Sequence, residues 1–255
     1  MMEKMKRHAE DTSGPDLAAL AGLLADGTRA SICLALLDGR AWTASELARM
    51  AGVAPSTATE HLNLLVSGGL LAQERQGRHR YVRLAGPDTA ALIENLAAMA
   101  PRRTTPPRSL PAASRRRALE RGRTCYDHLA GTLGVAITDA MTSRGLLDWT
   151  HGVALTERGT GWLREAGIAP PPATGRPLVR SCLDWTERRP HLAGGIGAAL
   201  CRHAFDAGWI TRIGTGRAVA LTGDGEQALH DHLGLTAEQI RSGAPAGAGL
   251  AARSA

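Results

Sequence analysis

Aromatic side chains are nearly missing: five Trp, two Tyr and one Phe in 255 residues. The core must therefore be built mainly from Leu, Ala, Val and Ile, which favours helices packed closely through small residues. Lysine is limited to Lys4 and Lys6 against 28 Arg, a bias that GC-rich coding also produces, so arginine richness alone carries little functional weight. The four cysteines, Cys33, Cys125, Cys182 and Cys201, are too few and too scattered for a disulfide framework. In a reducing compartment they stay thiols unless they hold a metal. Long apolar runs are absent. Leu17 to Ala25 is typical, far short of the roughly 20 residues that span a bilayer. The first eleven residues carry charges with no apolar core behind them, unlike a secretory signal. These absences predict a cytoplasmic protein with no membrane partner. No Gly-rich phosphate loop follows a strand, and neither Gly-x-Ser-x-Gly nor His-Glu-x-x-His occurs, so no enzyme is expected. A thiol hydrolase would have to use the Cys/His/Asp clusters described below.

What is present is a folded-protein composition, 44% apolar and 21% charged, long enough for one large domain or two to three small ones. The net charge of +6 is localised. Residues 101–123 hold eight Arg against Glu120, a local charge of +7, and the rest of the chain sums to −1. Such a band suits either a nearby polyanion or a solvated linker. Pro101, Pro106, Pro107 and Pro111 punctuate it, so 101–122 reads as a basic Pro/Arg linker, with Ser114 onward able to begin the next helix. A second Pro-rich break falls near 170–177, and 242–255 reads as a flexible tail.

The C-terminal half contains a duplication. His128-Leu-Ala-Gly-Thr-Leu-Gly-Val-Ala-Ile matches His191-Leu-Ala-Gly-Gly-Ile-Gly-Ala-Ala-Leu at six of ten positions. Gly145-Leu-Leu and Gly208-Trp-Ile each begin 17 residues after their His. Val153-Ala-Leu-Thr and Val219-Ala-Leu-Thr follow, and each Thr precedes a Gly (Gly159, Gly225) and a Leu (Leu163, Leu229) at equal spacing. This order marks a repeat of about 63–66 residues, copy one over 123–170 and copy two over 178–241. Each copy reads as helix, hairpin and helix, a winged-helix-like unit.

Residues 1–100 form a separate unit. Leu17, Leu20, Leu23 and Leu24 have helical spacing, and Ile32, Leu34, Leu36 and Leu37 form a second apolar segment. Thr43-Ala-Ser-Glu46 predicts a capping box, Gly52-Val-Ala a turn, and Pro55 the first position of the next helix. That helix buries Ala58, Leu62 and Leu65. Leu70–Glu74 and His79–Leu84, joined through Arg75-Gln-Gly-Arg78, predict a basic-tipped hairpin. Residues 88–99 predict a helix with Leu92, Ile93 and Leu96 on one face.

Leu24-Ala-Asp-Gly-Thr-Arg29, Ser45-Glu-Leu-Ala48, Ser56-Thr-Ala-Thr-Glu-His-Leu62, Gly69-Leu-Leu71 and Gly77-Arg-His-Arg-Tyr81 resemble the arsenical-repressor (ArsR-type) winged helix-turn-helix regulators, in the right order over about 70 residues. The resemblance implies a homodimeric transcription regulator of repressor type that reads an inverted repeat in double-stranded DNA. It places Ser56, Thr57, Thr59, Glu60 and His61 in the major groove, Arg75, Arg78 and Arg80 at phosphate, and 88–99 at the dimer interface. Hydroxyls near a helix start suit base edges, Glu60 suits the cytosine amino group, and a guanidinium-rich hairpin suits phosphate. One departure stands out: Ala44-Ser-Glu-Leu-Ala-Arg-Met lacks the cysteines that metal-sensing members carry there. The alternative is a winged-helix protein-interaction module without specific DNA binding.

A signal has to enter elsewhere. Cys125-Tyr-Asp127-His128 opens copy one; Cys182-Leu-Asp184 opens copy two, with His191 following after an insertion from Trp185 to Pro190. Thiolate with imidazole suits a soft transition metal. If the duplication brings the copies together, Cys125, His128, Cys182 and His191 form one four-ligand site. The same residues also suit plain packing, each Cys a small hydrophobe, each His a core group and each Asp a cap. A thiol switch and an organic-ligand pocket beside Trp185, lined by Thr186 to Arg189, stay open. Cys33 is expected in the core, and Cys201 with His203 at the surface. The expected architecture is mainly α with small β-hairpins: an N-terminal winged helix-turn-helix followed by a C-terminal tandem of winged-helix-like repeats.

Overall fold

The computed structural model describes residues 15–77, 79–101, 110–169, 171, 175–214 and 216–242. The N-terminal unit starts with α1 (Leu17–Leu24) and α2 (Gly27–Leu36). Asp26 separates them by capping α2, its carboxylate accepting from the Thr28 and Arg29 amides. Arg29 Nε donates back to Leu23 O at 2.5 Å and ties the two helices together. The expected capping box is present at the start of α3 (Ala44–Ala51), where Thr43 and Glu46 satisfy each other's backbone amides. Gly52, in the left-handed region at φ 69°, ends α3 and turns the chain into α4 (Pro55–Ser67). The hairpin of β2 (Leu71–Gln76) and β3 (His79–Leu84) follows. The strand β1 (Trp42–Thr43) joins it in the order β1-β3-β2. Sequence reading missed β1 because two residues carry no period-two signal. The unit closes with α5 (Pro87–Met99), and Ile32, Leu36, Leu47, Leu62, Val82 and Ile93 share its core.

Part of the stretch read as linker is helical. α6 (Leu110–Arg121) buries Ala118 and leaves Arg115, Arg116 and Arg117 exposed. Pro111 stands in its first turn, where an amide has no helical partner anyway. Arg116 Nε pairs with Glu120 Oε1 at 2.9 Å one turn on. Charge repulsion along the helix is thus partly offset by that pair and by packing of α6 on the next unit.

The duplication is visible as repeated architecture. Copy one runs β4 (Arg123–Cys125), β5 (His128–Ala130), α7 (Gly131–Ser143), β6 (Leu147–Asp148), β7 (Ala154–Leu155) and α8 (Glu157–Glu165). Copy two runs β8 (Arg180–Leu183), β9 (Pro190–Ala193), α9 (Gly194–Asp206), β10 (Ile210–Arg212), β11 (Val219–Leu221) and α10 (Gly223–Leu233), followed by α11 (Ala237–Ser242). Helix, hairpin and helix occur as expected, but each copy is opened by an antiparallel hairpin that the sequence reading lacked. Strands of three or four residues are too short to show alternation. The copies exchange partners: α7 lies on β9 and α9 on β5, while β5 touches β9. One core spans both, including Leu133, Met141, Leu163, Ile196, Leu200 and Leu229.

The shared motif residues have structural causes. Thr156 and Thr222 cap α8 and α10 by accepting from the Gly159 and Gly225 amides. Gly134 and Gly197 allow α7 and α9 to lie against their own hairpins. A Cβ there would fall 2.4 Å from Leu129 O and 2.6 Å from Leu192 O. Gly197→Ala is accordingly expected to cost about 1–3 kcal/mol through overpacking. Gly161→Ala, with open space around it in α8, is expected to gain up to about 1 kcal/mol. Denaturant unfolding of the two variants checks the pair of signs. Cys33 is buried as expected, but Cys201 is buried too. It lies on α9, which is covered from both copies, so the expected surface position is overturned. Among the described residues no single helix is long and apolar enough to cross a membrane.

Candidate DNA-binding surface and a buried thiol–imidazole centre

On α4, Ser56, Thr59 and Glu60 stand exposed and Thr57 half-buried. Thr59 Oγ1 donates to Pro55 O one turn back, which fixes its rotamer. His61 is drawn aside, its Nδ1 3.8 Å from the Asp26 carboxylate that caps α2. Arg75 is exposed on β2, and Arg78 lies outside the described residues. Arg80 Nη1 donates to Asn63 Oδ1 of α4 at 2.9 Å, so this arginine braces the wing against the helix. The fold therefore presents Ser56, Thr59, Glu60 and Arg75 together. His61 and Arg80 have first contacts inside the protein.

The second site is assembled by the two leading hairpins. Cys125 sits opposite His128 across β4–β5, and Cys182 opposite His191 across β8–β9. The swapped packing brings the two rungs face to face. All four donor atoms lie within 4.8 Å of one another, and all four residues are buried. The Nε2 atoms of His128 and His191 are 3.1 Å apart, with the rings stacked. Metal–ligand bonds of about 2.0–2.3 Å give tetrahedral edges of about 3.3–3.8 Å; the Nε2 pair is near that edge, and the 4.8 Å outer span closes to it with a contraction of about 1 Å. A carboxylate stands behind each imidazole. Asp127 Oδ1 is 3.4 Å from His128 Nδ1 and is itself gripped by the Arg176 guanidinium. Asp184 Oδ2 is 3.8 Å from His191 Nδ1 and accepts from Arg123 Nη2 at 2.8 Å and the Gly131 amide at 2.7 Å. Metal-binding histidines are oriented by such a carboxylate; Asp127 does this for His128, whereas Asp184 lies too far from His191 Nδ1 for a hydrogen bond.

The electrostatics separate the two thiols. Burial pushes Cys125 well above the ordinary thiol value. Hydrogen bonding from Cys125, and next from the two imidazoles, holds Cys182 well below it. Burial lowers the histidines, and it prevails at His191. At His128 the hydrogen bonds to Asp127 and Cys182, with the Glu94 charge, outweigh it and raise the group to about 9. A fifth titratable group was not foreseen. Glu94 of α5 is 2% exposed, and its Oε2 lies 3.1 Å from Cys182 Sγ. Burial pushes it up to about 7. Its Oε1 and His191 Nδ1 are buried without a hydrogen-bond partner. Buried polar atoms left unpaired around a soft-donor cluster fit a cation better than they fit packing alone.

Residues 24–74 match the model of a helix-turn-helix domain family. Over 224 residues the chain is 38% identical to the uncharacterized HTH-type transcriptional regulator YdfF of Bacillus subtilis (strain 168), spanning 87% of this chain and 98% of that relative. The chain belongs to the HTH-type transcriptional regulators. Its N-terminal unit is the DNA-binding winged helix-turn-helix of these regulators. Two solved structures are similar to it. One is a homodimeric winged helix-turn-helix DNA-binding domain of a possible ArsR-family regulator from Mycobacterium bovis, 30% identical, covering 39% of this chain and 89% of that one with a TM-score of 0.32. The other is the cadmium metal-sensor CMTR from Mycobacterium tuberculosis, 33% identical, covering 37% and 99% with a TM-score of 0.29.

In this regulator the buried centre touches the winged helix at both hairpins. Tyr126, at the tip of β4–β5, donates its amide to Leu37 O at the end of α2 (2.7 Å). Gly39 permits that approach, because a Cβ would lie 2.9 Å from Tyr126 O. In copy two, Glu94 of α5 meets Cys182 of β8, and Arg188 donates to Ala98 O and Ala100 O. The regulator's α5 therefore spends the face of Ala90, Ile93, Glu94 and Ala98 inside its own chain, while Leu96 and Met99 remain 45% and 78% exposed. One sequence signal could have flagged Glu94: an acidic residue in the otherwise apolar i, i+3, i+4 stripe of that helix.

Proposed function

We propose that this regulator is a cytoplasmic homodimeric repressor that binds an inverted repeat through α4 and the wing. Its effector is a soft divalent metal held by Cys125, His128, Cys182 and His191. The observation that carries the second half is the convergence of the four donors in one buried locus. When bound, the metal supplies a positive centre that neutralises two thiolates and joins the two hairpins. The residues' own part is to fix that centre: Asp127 orients the His128 imidazole, Asp184 places a buried negative charge behind His191, and Tyr126 and Glu94 pass the position of the hairpins to α2 and α5. The donors are closed off from solvent, which favours ligation over turnover. Exposed Leu17, Leu96 and Met99 support a dimer face on the winged helix, and a reducing cytoplasm keeps the thiols available.

Anisotropy titration of the full chain tests the DNA half, using a duplex from the region upstream of its own gene and a random duplex over a salt series. Tighter binding to the first, with affinity falling steeply as salt rises, is the expected result. Equal affinity for both duplexes would leave the interaction-module reading in its place. Arg75→Ala is expected to weaken both duplexes and reduce the log–log salt slope by about 1. Glu60→Ala should instead cost about 1–3 kcal/mol of discrimination at one base pair and leave the slope nearly unchanged.

A further inference from the structure

Glu94 stands at a position where a carboxylate has no local reason to be. It lies in the middle of α5, away from either helix end, on the face that packs against β8. No cap or surface pairing accounts for it. Oε2 meets Cys182 Sγ at 3.1 Å, Oε1 has no hydrogen-bond partner, and the arginine paired with the carboxylate, Arg180, stands off with its Nη2 3.7 Å from Oε2. A buried carboxylate is costly unless a cation compensates it.

The charges around the centre show which cation would complete the set. Two thiolates cancel a divalent ion, so the four-donor site is neutral when loaded. Adding Glu94 makes it singly negative, and Arg180 returns it to neutral. Carboxylate oxygen is an accepted donor for the same metals that take thiolate and imidazole. We propose that Glu94 is the fifth donor of this metal site, contributed by the DNA-binding unit, so that metal occupancy fixes α5 against the duplicated unit and changes DNA affinity. This rests on the metal reading given above and adds a donor from a different part of the fold. The two thiols release their protons on loading, so the ion enters without redox change.

The test uses the full chain with Co2+ and Zn2+ as probes. Thiolate-to-cobalt charge transfer reports the cysteines, and the intensity of the ligand-field bands separates four from five donors. Wild type is expected to show charge transfer with weak, five-coordinate ligand-field bands. Glu94→Gln should keep the charge transfer and show stronger, tetrahedral bands. Zinc affinity in the variant, measured by chelator competition, should fall at least about 10-fold. Wild-type DNA affinity should shift about 5–150-fold between zinc-loaded and chelated protein, and Glu94→Gln should bring that ratio close to unity. Glu94→Asp, which keeps the charge and shortens the reach, should lie between them and serves if Gln does not fold. Identical cobalt spectra and an unchanged zinc ratio in both variants would overturn the role of Glu94 while leaving the metal site standing. A wild type without charge transfer would overturn both.

Discussion

Arg123→Ala is expected to destabilise the protein by about 3–5 kcal/mol, the cost of breaking a buried ion pair from one side. Both partners are fully buried, at 0% exposure for Arg123 and Asp184. Arg123 Nη2 donates to Asp184 Oδ2, Nη1 donates to Leu119 O and Thr186 Oγ1, and the guanidinium carbon lies 4.5 Å over the Trp185 ring. Removing the guanidinium leaves Asp184 inside the fold with the amides of Gly131, Thr186 and Glu187 and the Thr186 hydroxyl as its remaining donors. Denaturant unfolding of Arg123→Ala, Asp184→Asn and the double variant supplies the measurement. The double variant should be less destabilised than the sum of the singles by about 1–3 kcal/mol. Simple additivity would show that the pair is not coupled. A second readout follows from geometry, since Asp184 stands behind His191. The same substitution should weaken metal binding about 10–100-fold.

Loading with zinc is expected to raise the unfolding free energy of the wild type by about 4 kcal/mol at a free concentration of a thousand times the dissociation constant. Cys182→Ser should abolish this gain, because serine offers no thiolate and the remaining donors cannot close the set. His191→Ala should do the same from the opposite strand. Metal content by elemental analysis and the thermal midpoint, each with and without chelator, measure the effect. A zinc-independent midpoint in the wild type would return the cluster to ordinary packing. The contrast with Arg123→Ala is informative: that variant should lose stability even in chelated protein, whereas Cys182→Ser should lose mainly the metal-dependent part.

The winged helix was legible because its signals are local. Thr43 with Glu46, Gly52 and Pro55 each define a helix end by interactions within four residues, and all act in the fold as their chemistry dictates. The duplication was legible because caps and close approaches recur wherever the architecture recurs, as Thr156 and Thr222 or Gly134 and Gly197 show. The short opening hairpins were not legible, and neither was helix α6 within a Pro- and Arg-rich stretch. Their stability comes from packing on distant elements, which leaves no periodic trace.

The sequence by itself determined the helix-turn-helix, the repeat and the four cysteine and histidine residues able to bind a soft metal. Only the tertiary structure decided that Cys125, His128, Cys182 and His191 converge, through the exchange of α7 and α9 between the two hairpins. It also decided that Glu94, 88 positions from Cys182, joins them. Helix caps and turns are set by neighbours along the chain. A centre built from two repeats and a separate DNA-binding unit depends on which apolar faces find each other, and that is settled by burial over the whole fold.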